Sequence, residues 1–204
     1  MLIAIVGLVA ALVPGLWHVT RPIAAFAHEG AHATVGSAFG HKITHMEFKF
    51  NGDGLTGVTA GNGSSLALIP GAFVGYLGPS AFGIGAAELI RIGHIVAVLW
   101  IGLASLIPIL YLARKSLGVV LVIAAVVALL LLLGAGSESA QVVTAYAVAW
   151  FLLLSGVRFI TLHGKDAGDA TVLKGMTGLP RGFWPPLWLA GSVAALVFGA
   201  TLLL

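Results

Sequence analysis

Five consecutive residues, His28-Glu29-Gly30-Ala31-His32, carry a pattern that can do chemistry. Residues four apart on a helix project from one face, one turn above the other. Both imidazoles can therefore reach a single metal ion. The glutamate beside the first can then work on a water held by that ion. The chain has no cysteine, so any metal must be held by His, Asp or Glu, and a disulfide framework or thiolate site is excluded. A catalytic zinc site usually has three protein ligands, and two histidines leave it one short. Asp166, Asp169, His163, His41 and His45 are the candidates for the third. His18 and His94, like His41, His45 and His163, otherwise read as interfacial histidines.

The motif lies inside an apolar stretch, 23–39, long enough to cross a membrane. A charged acid at that depth costs about 2.5–3.5 kcal/mol even on lenient scales, so a core-packing role explains the trio poorly. The whole chain shares this character. It is 59% hydrophobic and 8% charged over 204 residues, against about 25% charged in a soluble domain. These values predict an all-α polytopic membrane protein forming a single domain over 1–204. The formal charge of +3 is small and dispersed, which excludes a nucleic-acid surface.

About seven spans are expected, at 2–18, 23–39, 66–90, 94–112, 117–133, 142–162 and 184–204. The first has no basic residue before its apolar run and no small-x-small cleavage site, so it reads as a retained span. Thr20-Arg21-Pro22 separates it from the second, with Pro22 opening the new helix. The second span is rich in small residues, which predicts a central, closely packed helix. After it, Met46, Phe48 and Phe50 alternate with His45, Glu47 and Lys49. The turn Asn51-Gly52-Asp53-Gly54 follows, and the pattern predicts a short β-hairpin. The Gly-rich stretch from Gly71 to Pro79 predicts a closely packed, kinked or broken helix. Residues 163–181 read as a polar loop, Trp184 and Trp188 as interfacial anchors, and Glu88 and Arg91 as markers of the outer interface.

Lys42, Lys49, Arg114, Lys115, Arg158, Lys165, Lys174 and Arg181 fall on one side, and only Arg21 and Arg91 on the other. The positive-inside rule then puts the hairpin and the 163–181 loop in the cytoplasm.

An intramembrane HExxH, a following hairpin, Gly75-Tyr76-Leu77-Gly78-Pro79 and a later Asp169-Ala170…Thr177-Gly178-Leu179-Pro180 together resemble the site-2 protease family, and more closely its compact bacterial, peptidase M50B-like members. The resemblance covers most of residues 22–190. It implies a multi-pass protein of the bacterial plasma membrane with one Zn2+ ion. His28 and His32 would be metal ligands, Glu29 the catalytic glutamate, and Asp169 the third ligand, with Asp166 the alternative. Larger members carry a different residue after that aspartate, where this chain has Ala170. The implied activity is hydrolysis of peptide bonds in single-span membrane proteins. The chain shows no PDZ-like or CBS-like segment, so substrate filtering would fall to the core or to a partner.

A non-catalytic metal-binding scaffold of the same fold is the competing expectation. Glu29 speaks against it, since a structural metal has no need of that carboxylate. A metal transporter is weaker, because ionisable clusters occur on one span and one loop and not as a ladder across the bilayer. Substrate identity and oligomeric state are not encoded in any pattern of the chain.

Overall fold

The structure, a computed structural model, describes residues 13–48, 54–59, 68–112, 116–164 and 168–204. Within them the chain is helical apart from one hairpin. Helix α1 runs Pro14–Ala38, followed by strands β1 (Lys42–Phe48) and β2 (Gly54–Thr59). Then come α2 (Leu68–Val74), a 3-10 turn (Gly75–Leu77) and α3 (Gly78–Arg91). Helices α4 (Ile95–Leu112), α5 (Ser116–Ala135), α6 (Glu138–His163), α7 (Gly168–Thr177) and α8 (Trp184–Leu203) complete the chain. Four segments are long and apolar enough to cross a membrane: Leu68–Arg91, Ile95–Leu112, Glu138–Leu162 and Arg181–Leu203. Val119–Ala135 is apolar but shorter.

The expected break at Thr20–Pro22 is not there. Residues 14–38 form one helix with Pro22 inside it. Pro14 takes the first-turn position, where a missing N–H costs nothing. Pro22 is carried mid-helix, as happens in spans packed against neighbours. Residues 14–18 of the first expected span thus belong to the same helix as the second, and the rest of the first, residues 1–12, lies outside the described residues.

The small-sided character of α1 is used as expected. Ala24, Ala25, Ala31 and Gly36 are buried. Gly71, Gly75 and Gly78 run antiparallel against it. A Cβ on Gly71 would touch the Gly36 backbone at 3.7 Å, and one on Gly78 would strike the Ala27 carbonyl at 2.6 Å. At Gly78 the two backbones lie at a distance that only a missing side chain permits, and at Gly71 they are in ordinary contact. The helix break expected in this Gly-rich stretch is the 3-10 turn at Gly75–Leu77.

The hairpin is antiparallel, with Met46 opposite Thr56 and an irregularity between Ile43 and His45. Met46 is 1% exposed and packs among Ala25, Phe26, Leu106, Ile109 and Val122. That burial pins the strand's register against α1. The turn residues 51–53 lie outside the described residues. Helices α3, α6 and α8 pack closely on one another. Gly83 of α3 and Gly199 of α8 both receive Leu153 of α6.

Two further expectations are corrected. Residues 163–181 hold a helix, α7, where a loop was read. Asp169 in its first turn and Lys174 in its last complement the helix dipole. Gly178, at φ 75, ends it, and the Gly178 N–H donates to the Lys174 carbonyl at 2.9 Å. Trp184 and Trp188 are not interfacial: they are 6% and 0% exposed. Trp188 donates its indole N–H to the Phe73 carbonyl, 2.9 Å away, beside the 3-10 turn. The ring stacks on Tyr76 at 4.6 Å between centroids. Trp188→Phe keeps most of the ring and strands that carbonyl. We expect a loss of about 1–3 kcal/mol of stability, read as a lower midpoint in denaturant unfolding.

Candidate metal centre

Helix α1 sets the two histidines on one face, and their Nε2 atoms lie 3.1 Å apart. The Nδ1–H of His32 donates to the Gly71 carbonyl at 2.7 Å. That bond fixes the tautomer, assigned here from the hydrogen-bond network, and leaves the His32 Nε2 lone pair free. His28 is held by rings. Tyr76 meets it edge-on at 4.7 Å and Phe159 lies at 5.3 Å. Gly75 is what lets both histidines sit there. A Cβ on Gly75 would land on the His32 ring and lie 2.9 Å from His28 Cε1.

Helix α7 brings the third group. Ala170 and Leu173, 1% and 0% exposed, anchor it in the aromatic core with Tyr76, Phe159, Trp184 and Trp188. With that face buried, Asp169 is aimed at α1. Its Oδ2 lies 3.4 Å from His28 Nε2 and 3.2 Å from His32 Nε2. Burial alone would raise the Asp169 carboxyl. When His28 and His32 are protonated, their hydrogen bonds and charge outweigh it and hold the group well below the usual carboxylate range.

Three electron-pair donors thus converge on one point, an arrangement that repels itself unless a cation or protons fill it. His28, His32 and Asp169 are the group of metal-ligating side chains found among the described residues. Zinc bonds of about 2.0–2.2 Å in tetrahedral geometry put ligand atoms about 3.3–3.6 Å from one another. The three observed separations, 3.1, 3.2 and 3.4 Å, are close to that. The donor set, two neutral imidazoles and a carboxylate, suits zinc. Glu29 is 3% exposed, with its Oε1 4.0 Å from His28 Nε2, so its carboxylate lies beside the cluster.

Of the other candidates, His41 is buried at the start of β1 and lies outside this group, as does His45, whose Nδ1 is 3.0 Å from Thr44 Oγ1. Asp166 and the His163 side chain lie outside the described residues. Gly75, Tyr76, Phe159 and Trp188 were not singled out as site residues. The Gly75-Tyr76-Leu77-Gly78-Pro79 segment was the available signal, since a glycine-dense break in a span marks a place where something must approach closely.

Gly75→Ala is expected to displace His32. The added methyl has no free space, and overpacking of this kind costs about 1–3 kcal/mol. Zinc content of the purified variant should fall with it, whereas Gly85→Ala, where a Cβ meets nothing within 4 Å, should behave as wild type.

No curated protein and no solved structure matches the chain significantly. The family model described as peptidase M50B-like matches residues 1–199, nearly the full length. A largely buried His–His–Asp cluster in a helical membrane bundle is in keeping with that match, and the chain belongs to the peptidase M50B-like family.

Proposed function

We propose that this protein is an intramembrane zinc endopeptidase acting on membrane-anchored proteins, in the manner of regulated intramembrane proteolysis. The observation that carries this reading is the convergence of His28 Nε2, His32 Nε2 and Asp169 Oδ2 beside the buried Glu29 carboxylate. His28, His32 and Asp169 would hold the ion. Bound zinc supplies Lewis acidity and lowers the pKa of water toward ~7. Glu29 is the proton carrier: it takes a proton from the attacking water and returns it to the leaving amine. The Gly71 carbonyl keeps His32 in the tautomer that leaves Nε2 open. Tyr76, Phe159 and Trp188 form a dry wall behind His28.

The hairpin gives the substrate a place to unwind. Among the described residues the sheet has two strands, and an extended segment can add to such a sheet by β-addition. The basic residues near the hairpin and α7 support a cytoplasmic setting for this end of the bundle. The plasma membrane of a bacterium is the setting the family resemblance favours.

The test is cleavage by the purified protein in lipid nanodiscs against a panel of single-span substrates. Removing zinc with a chelator should abolish cleavage and adding zinc back should restore it. Cleavage that survives complete zinc removal would sink the metalloprotease reading. A protein that binds zinc and cuts nothing in the panel would favour the scaffold.

A further inference from the structure

Arg158 lies within the membrane-crossing segment Glu138–Leu162, five residues before the end of α6. A rise of about 1.5 Å per residue puts its Cα roughly 7.5 Å inside that end. A charge at such depth normally finds a carboxylate or carbonyl. Among the described residues Arg158 makes no side-chain hydrogen bond or ion pair, and its Nε is buried without a partner. Its one contact of note is Trp17, whose ring centroid lies 4.9 Å from the guanidinium carbon. That contact lies over the face of the indole. The donors of the guanidinium's two terminal nitrogens make no hydrogen bond among the described residues.

The same residue opens on a groove of about 280 Å³ between α6 and α8, lined by Leu154, Val157, Arg158, Thr161, Leu162 and Leu196. Thr161 and Leu162 stand at the end of α6 and Leu154 two turns deeper. The groove therefore runs from the membrane surface past the guanidinium into the apolar layer, with one cation and otherwise mostly hydrocarbon walls.

We propose that this groove binds one phospholipid, with its phosphate drawn in to the Arg158 guanidinium and an acyl chain along Leu154, Val157 and Leu196. A planar fork of donors matches phosphate oxygens, and basic pockets between spans are lipid headgroup sites. The size decides against a docked helix, since a stable protein interface covers about 800 Å² on each partner and six residues around a groove this narrow give much less. The site is separate from the metal centre: Phe159, the next residue, faces His28, while Arg158 faces outward.

The experiment is native mass spectrometry of the purified full chain released from detergent, titrated with phosphatidylglycerol or with diacylglycerol of the same chains. Wild type should retain one phosphatidylglycerol and no diacylglycerol, since only the former carries the phosphate. Arg158→Gln should weaken retention about tenfold. Val157→Phe, which fills the groove and keeps the cation, should weaken it as well, so the result does not hang on a variant that loses the Trp17 contact. Zinc content serves as the folding control. Equal phosphatidylglycerol retention by wild type and both variants would overturn the proposal. So would a single-span peptide bearing a mid-span aspartate that binds through Arg158 and is not displaced by phosphatidylglycerol, which would make the groove a docking site for helices.

Discussion

Glu29→Gln is expected to lower cleavage of a single-span substrate by about 10²–10⁴-fold while the protein keeps its full complement of zinc. The substitution preserves volume and removes a carboxylate that lies beside the cluster without being aimed at the shared point. Its Oε1 is 4.0 Å from His28 Nε2, whereas Asp169 Oδ2 approaches both imidazoles within 3.4 Å. Proton transfer therefore fails and ion binding does not. Initial rates in nanodiscs, paired with zinc per chain on the same samples, read both halves. A variant that cuts within tenfold of wild type would remove Glu29 from the mechanism. One that loses its zinc would make Glu29 a ligand.

Asp169→Ala should have the opposite signature, with zinc lost first and activity lost with it. Removing the carboxylate leaves two imidazoles, a set that does not complete a zinc site. Changing even an outer-shell partner costs 10–100-fold in affinity, so loss of a direct ligand should exceed about 100-fold. Competition against a chelator of known affinity measures it. Asp166→Ala, run beside it, should bind zinc as wild type does. If Asp169→Ala keeps wild-type affinity the ligand assignment fails, and if Asp166→Ala is the variant that releases the ion, the assignment moves there.

Much of this centre was readable from residue types and spacing. The pair His28 and His32 needs only a helix to face one point, and the long apolar stretch around it supplied that helix. The hairpin was visible as a change from period 3.6 to period 2, and burial of Met46 shows which face the alternation marked. Gly71, Gly75 and Gly78 signalled close approach, although what approaches Gly75 is a pair of side chains from a helix some forty residues earlier, and no local pattern encodes that.

The misreadings have physical causes. Pro22 was weighed as a helix start because proline breaks exposed helices, whereas a packed membrane helix can absorb one. The 163–181 segment was judged by polarity. Its stop signals, Gly178 followed by Pro180, were present, and so was the Ala170–Leu173 spacing that buries one face. Trp188 was placed at the interface from its amphipathic ring. A carbonyl beside a helix break, that of Phe73, gave its N–H a buried partner instead. In each case tertiary context supplied the hydrogen bond or the packing that local preference assumed was missing.

X-ray absorption at the zinc edge, on purified wild-type protein and Asp169→Ala, tests the central claim most directly. The account predicts about one zinc per chain in wild type, with two imidazole nitrogens and a carboxylate oxygen at about 2.0–2.2 Å, and no such shell in the variant. A wild-type protein without bound zinc, or a shell unchanged by loss of Asp169, would contradict it.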